Sequence, residues 1–503
     1  NTTGTENTAS GYKALLTNTT GSSNTASGHF ALKSNTTANN NTASGYTSLY
    51  SNTTGHSNTA SGKGALYSNT TGTNNTASGR GVLYSNTTGE SNTASGTYAL
   101  YTNTTGNENV ASGYQVLYAN TTGYQNTASG TNALRYNTTG LYNTAIGQSA
   151  LYSNQTADNN TALGYQALYG NTTGIDNTGC GVNALQATTT GNYNTAVGRF
   201  ALFLNTTGGR NAAVGNEAMY SNTTGTHCAA VGQKALYSNT TGLYNVAVGY
   251  EALEQNTTAS DNVAIGYKAL EANSTGEKNT ATGGYALSLN TTGVRSTASG
   301  YYALKVNTTG GYNTATGYYS LYSNTTGIKS VAIGYWALGA NTTGSYNTCL
   351  GYDAGDNITT GNYNCCLGHK ARPSSATVDD EVVLGDSNIA TLRCNTSTIS
   401  ALSDARDKTD VEPSPLGIDF INTLNPVKFK WETREGNSKD GTHEIGFIAQ
   451  ELQEVQKESN TEYLKMVIDE NPDRLEASYA QLVPILVKAL QEATSKIEGL
   501  GAE

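Results

Sequence analysis

The chain has 503 residues, including 57 glycines but only 6 prolines, and its formal net charge of −10 is unevenly spread: residues 403–503 hold 20 acidic and 11 basic side chains, and so carry −9 of it. The preceding 402 residues contain only 17 acidic and 16 basic groups, which leaves no basic stripe for a phosphate backbone, so nucleic acid is not expected as a partner. No apolar run approaches the roughly 20 residues needed to cross a bilayer, so membrane insertion is not expected either.

Beginning at Asn1 in mid-pattern, with no charged-then-apolar leader, the chain reads as lacking its native N-terminus. The segment "NTTG" opens a 17-residue period that runs without a slip through 21 copies, and a degenerate twenty-second spans residues 358–374. A typical copy reads N-T-T-G-x-x-N-T-A-S-G-Y-x-A-L-Y-S. Its eleventh residue is Gly in all 22 copies, and its fifteenth is Leu in 19 of the first 20, with Met219 the exception. A fixed uninterrupted period marks stacked units that bury their apolar side only against neighbours. Seventeen residues are too few for a two-helix repeat, and Gly, Asn and Thr at this density oppose helix. Each copy is therefore expected to be one coil of a parallel β-solenoid, or β-roll, over residues 1–374.

Within "NTASG" the second and fourth residues exchange between Thr or Ser and Val, Ile, Leu or Cys, while the third and fifth stay nearly always Ala and Gly. This alternation reads as β-branched groups packed inside the coil and a small face pressed against another backbone. Three solenoids packed along one axis, a homotrimeric rod, would supply that backbone; a turn needing positive φ at the Gly competes equally as an explanation. Asn at the first and seventh positions suggests hydrogen-bonded ladders along the stack. Tyr at the twelfth and sixteenth, such as Tyr46, Tyr50, Tyr250 and Tyr301, either covers the rim or stacks on the sugars of a host-surface glycan or receptor. Asp158, Asp176, Glu217, Glu251 and Asp261 are scattered with no spacing that predicts a glycosidase. The six cysteines form no CxxC pair, so no metal and no cofactor are expected. Cys349 and Cys366 fall at one repeat position and are expected to remain thiols.

"NVAVGYEAL" at Asn245 and "NVAIGYKAL" at Asn262 resemble the head repeat of trimeric autotransporter adhesins, a parallel β-roll, although the unit here is longer. After the repeats, residues 375–402 contain "EVVLG" and "IATLRC", alternating segments expected to be strands of a β-rich neck. Residues 403–503 then form a small α+β domain. Helical spacing is found in "GFIAQELQEV" from Gly446 and in "ASYAQLVPILVKALQEATSKIEGL" from Ala477 to Leu500, where Leu482, Ile485, Leu486, Ala489 and Leu490 share a stripe suited to docking on a partner or a second copy. Pro484 requires that this terminal helix begin near it or kink.

Four segments of this domain, "SDARDK" at Ser403, "NPVKFKW" at Asn425, "GFIAQE" at Gly446 and "YAQLVPILVKALQE" at Tyr479, stand in the order and spacing of the intramolecular chaperone, or S74 peptidase, family that ends many phage tail fibres, tailspikes and endosialidases. The resemblance implies a domain that trimerises, guides folding of the β-rich fibre ahead of it, and releases itself by autoproteolysis. It implies Ser403 as nucleophile, Lys408 as base, and Leu402–Ser403 as the scissile bond. Asp404 and Arg406 would support the motif by holding the backbone or pairing with each other, alongside Gly446, Gln450 and Glu451 of "GFIAQE". A serine hydroxyl needs a base to take its proton, and a lysine serves only once its surroundings lower its pKa. Residues five apart lie about 140° apart around a regular helix, so a turn or bend, or a second subunit, must bring Lys408 to Ser403.

These readings point to a homotrimeric phage tail fibre or spike, assembled in the host cytoplasm and carried on the virion tail, with no enzyme activity in the repeats. The alternatives are a bacterial cell-surface adhesin stalk, extracellular or surface-bound, and a polysaccharide depolymerase with an inter-chain active site.

Overall fold

The computed structural model describes residues 1–389, 393, 404–432, 441, 443–469 and 475–500. The chain divides into two compact units, Asn1–Thr343 and Gly344–Glu503. The fold is mainly β, a parallel β-solenoid with a 17-residue beat, and the second unit ends in small two-stranded sheets and a long helix.

The first unit carries twenty three-residue strands, from β1 (Thr8–Ser10) to β20 (Val331–Ile333), one per coil. Each pairs in parallel with a strand 17 residues away, as Thr42 with Thr59, Ala43 with Ala60 and Ser44 with Ser61 in β3 (Thr42–Ser44) and β4 (Thr59–Ser61). Like residues therefore stack on like residues along the whole ladder. The middle Ala of the strand points inward and is fully buried, as at Ala26, Ala43 and Ala60, and the same coil's Ala and Leu at positions fourteen and fifteen, such as Ala65 and Leu66, complete the interior. The flanking Thr and Ser point to solvent.

This inverts the expected assignment of faces. The interior is so thin that it admits only a methyl group from the strand, and the β-branched positions lie outside. Nor does the invariant Gly mark a contact with a second chain: it adopts φ between 116° and 142° throughout the repeats. A Cβ on Gly45 would also fall 2.6 Å from the carbonyl oxygen of Gly62 in the next coil. Positive φ and close stacking of successive turns thus account for the glycine. In most coils three further residues are left-handed without being glycine, at positions six, thirteen and fifteen, as in Glu108, Gln115 and Leu117 with φ of 56°, 53° and 51°.

Two rows of buried asparagine run along the ladder. At position one, Asn103 Nδ2 donates to Asn86 Oδ1 in the preceding coil (2.8 Å) and to the Gly106 carbonyl of its own turn (3.0 Å). At position seven, Asn109 Nδ2 donates to Gly123 O in the next coil (2.9 Å), and its Oδ1 accepts from the backbone N–H of Asn126 (3.1 Å). Both rows are inaccessible to solvent, so every amide depends on its neighbours for partners. The first row is broken within the repeats at Thr188. This residue replaces Asn, and among the described residues both its Oγ1 and Asn171 Oδ1 lack a partner. The cause is length: a hydroxyl on Cβ cannot span the coil spacing that an amide bridges.

The second unit opens with β21 (Thr348–Leu350), β22 (Cys365–Leu367) and β23 (Val382–Leu384), paired in parallel with the same offset. The ladder thus includes the first strand expected in the neck; the segment around "IATLRC" falls mostly outside the described residues. Further along are α1 (Ile418–Ile421), β24 (Val427–Lys430) antiparallel to β25 (His443–Gly446), α2 (Ala449–Glu458), the short pair β26 (Val467–Ile468) and β27 (Glu476–Ala477), and α3 (Leu482–Leu500). Phe420, Leu452, Met466, Leu482 and Ile485 form their core. The first helical segment starts three residues later than its spacing suggests, because Gly446 closes β25. The terminal helix starts at Leu482, which leaves Pro484 in the first turn, where no intrahelical N–H bond is lost.

The break at Thr188 generates a gain-of-stability prediction. Thr188→Asn should reconnect the row from Asn171 to Asn205 and raise stability by about 1–2 kcal/mol, read as a higher urea midpoint. An unchanged midpoint would mean that the row is not stabilising.

Candidate functional site

Leu402 and Ser403, the expected scissile pair and nucleophile, lie outside the described residues. The residues that follow them form a compact turn. Asp404 caps a one-turn 3-10 helix, Ala405–Asp407, by accepting from the Arg406 backbone N–H (2.9 Å), and the Arg406 guanidinium returns to both Asp404 oxygens (each 3.1 Å from Nε). The two side chains pair with each other, and Asp404 also holds the backbone of the turn. The guanidinium and the backbone N–H hold the Asp404 carboxyl below the usual carboxylate range. Lys408 follows in extended conformation, φ −123° and ψ 134°, with its side chain exposed. A tight turn followed at once by an extended residue is a bend, not a regular helix.

The other motifs converge. Gly446 is buried at the end of β25, and a Cβ there would meet the Tyr479 hydroxyl at 2.8 Å and Phe429 at 3.3 Å. Glycine thus leaves room for Tyr479, whose hydroxyl accepts from the Phe447 N–H (3.2 Å) while the two rings pack edge to face at 5.5 Å. Glu451, in the first turn of α2, accepts from Asn425 Nδ2 (3.1 Å) and lies where the helix dipole favours an anion. Gln450 is exposed. Gly446 and Glu451 therefore act as joints between segments, each carrying one motif onto another. A shallow pocket beside them is lined by Leu424, Asn425, Phe447, Ile448 and Val455.

Sequence reasoning gave no role to Asn425, Tyr479 or Glu492, though all three lie in the motifs it singled out. Glu492, on α3, accepts from the backbone N–H of Ile418 (2.9 Å), so it caps α1 from 74 residues away. That N–H holds its carboxyl below the usual range, against partial burial. No local pattern signals such a bond, because its donor is a backbone group.

In the repeats, Glu251, Glu254 and Glu271 have carboxylate oxygens within 4.8 Å of one another. Lys268 Nζ sits against Glu251 (2.9 Å) and Glu271 (2.8 Å), and Lys234 against Glu254 (3.6 Å), so cations of the chain itself already meet the cluster. Cys349 and Cys366 face each other across the ladder as buried thiols, with Cys349 pushed up by its hydrogen bond to Cys366 and by burial. Tyr50, Tyr67, Tyr84, Tyr101 and Tyr118 stack ring on ring at 4.8–5.3 Å along one side. Among the described residues, no helix is long and apolar enough to cross a membrane.

Residues 403–461 match the Peptidase_S74 family, described as the chaperone of endosialidase. The class this defines is a long repeat β-solenoid carrying a chaperone-of-endosialidase domain toward its C-terminal end. Comparison with curated proteins and with solved structures gives no match.

Two predictions follow from the joints. Gly446→Ala should push Tyr479 off the Phe447 N–H and destabilise the domain by about 1–3 kcal/mol, and adding Tyr479→Phe should recover much of the loss. No recovery in a urea titration would place the strain elsewhere. For Glu492, whose folded-state pKa is depressed, the stabilisation is complete above the ordinary carboxylate pKa of about 4.3 and lost as pH falls through the depressed value. Amide-exchange protection at Ile418 should fall in that acid window in the native chain, and Glu492→Gln should remove the dependence.

Proposed function

We propose that this chain is the protomer of a homotrimeric phage tail fibre or spike whose residues 403–503 assist trimerisation and folding of the solenoid, residues 1–374, through the neck, 375–402, and are then released by cleavage between Leu402 and Ser403. The observation that carries this reading is the chaperone-family match beginning at Ser403 in a chain whose preceding strands form a β-solenoid.

The structure of α3 supports assembly. Leu482, Ile485 and Ala489 are buried in the domain, while Val483, Leu490 and Ile497, seven residues apart, are 59%, 69% and 69% exposed. Leu486, Ala493 and Leu500 repeat with the same period, completing an a/d seam in which both leucines are exposed and Ala493 is partly so. Three such helices would bury their seams together, bring three C-termini into register and raise the local concentration of the solenoids.

Cleavage follows from placing a hydroxyl directly after the bond to be cut. Lys408 Nζ takes the Ser403 proton, Oγ adds to the Leu402 carbonyl carbon, and the C–N bond breaks as the Ser403 nitrogen is protonated. The resulting ester between Leu402 and Ser403 Oγ is then hydrolysed by water. The bend at Ala405–Asp407, locked by the Asp404–Arg406 pair, offers a way for Lys408 to turn back toward Ser403. Exposed tyrosine rows on the solenoid suit stacking on sugars of a host-surface glycan, which would make the repeats the receptor-binding part.

Freshly assembled wild-type protein run on a denaturing gel should lose its last 101 residues, about a fifth of its mass, while Ser403→Ala and Lys408→Ala remain full length. Full-length wild type after prolonged assembly would rule out autocleavage. In the uncleaved Ser403→Ala background, Leu486→Glu with Leu490→Glu should sharply lower the yield of trimer in sedimentation, and an unchanged yield would remove the seam from the interface.

A further inference from the structure

The outward face of the solenoid strands changes character along the chain. At the fourth position of "NTASG", the strands of the first eight coils all carry Ser. In the next eight, from β9 (Thr144–Ile146) to β16 (Val263–Ile265), every one carries Ile, Leu, Cys or Val. The three strands after that, from Thr280 to Thr316, return to Thr or Ser, and a shorter apolar run resumes at Ile333 and Leu350. These apolar residues are not interior: Ile146 is 47% exposed, Val231 44% and Ile265 42%. None of the sixteen outward residues of β9–β16 is charged, and their other column turns from Thr to Ala and Val at Ala212, Ala229, Val246 and Val263.

We infer that this zone is a contact surface for further copies of the same chain, packed parallel and level with it, so that β9–β16 of each copy face one another. The inference rests on the trimeric reading above and locates where the solenoids hold each other. Two properties select the occupant. The zone presents one apolar side chain per coil at the strand spacing of about 4.8 Å, and an identical solenoid in axial register offers the same side chains at the same interval. Eight coils of three-residue strands make a strip about 38 Å by 10 Å, roughly 400 Å², which is about half of the ~800 Å² that each partner contributes to a specific interface. The eight N-terminal coils bear Thr and Ser at the same positions, with Val110 the one apolar exception, and so present no continuous apolar column.

The test is made on the full-length chain. Serine occupies the same position in the first eight coils, so the variant Val197→Ser, Val214→Ser, Val231→Ser and Val248→Ser should retain the fold, checked by circular dichroism. Cys180 lies in the zone on the outward column and reports directly on proximity. Mild oxidation or a short bis-maleimide should join copies of the wild-type chain through Cys180, and Cys180→Ser should abolish this adduct. The four-serine variant should form it about tenfold less and come apart at a lower temperature in detergent. An assembled wild type that gives no Cys180-dependent adduct, together with a four-serine variant of unchanged heat resistance, would overturn the interface while leaving the trimer standing and the zone open to glycan or another protein. A wild type that sediments as a monomer would overturn both.

Discussion

Most coils of this solenoid bury two side-chain amides, and a buried amide without partners costs about 1–3 kcal/mol. That constraint organises the repeats. An Asn at position one reaches back one coil and closes its own turn, while an Asn at position seven reaches forward one coil, so each unit is satisfied only when stacked on both sides. The 17-residue length, the in-register strands and the lack of insertions follow, because one extra residue would carry both rows out of reach. Sequence drift is tolerated where substitutes retain a bond. At Cys228 the thiol sulfur contacts the Gly242 carbonyl that an Asn amide would otherwise reach, and burial pushes that thiol up to about 11.

Much of this was legible in the sequence. An unbroken period with invariant Gly and Leu specifies stacked coils, and Asn recurring at two fixed positions specifies ladders, because in a stack identity of position means contact. The direction of the side chains was not legible. Alternation separates two faces but does not say which is inside, and the usual assumption that β-branched residues face inward fails when the interior is a single methyl deep. The residues themselves held the cue: an always-Ala position beside an always-Leu position describes a full interior, whereas free exchange between Ser and Val describes a surface.

In the C-terminal domain several motif residues join distant segments, for reasons a linear pattern cannot express. Gly446 is small because Tyr479 crosses it, Glu451 is acidic because Asn425 and a helix N-terminus meet there, and Glu492 serves a backbone N–H on α1. These are long-range joints. A domain of this size gains definition from such polar contacts, since among the described residues its core is built around a small cluster of Phe420, Leu452, Met466, Leu482 and Ile485.

The left-handed residues of the coil bear on how such a chain comes to be folded at all. Each non-glycine residue held there costs on the order of 1 kcal/mol, so a coil with three of them carries roughly 3 kcal/mol of backbone strain before it touches anything. Only stacking offsets that strain, so the first coil formed is uphill and each later one grows on a finished neighbour. The process is closer to seeded crystallisation than to the collapse of a globule. A seed present during growth and removed afterwards would leave a body that melts only at conditions far beyond those at which it can re-form. Its unfolding and refolding curves would not retrace one another, and the assembled state would keep the memory of a partner no longer attached to it.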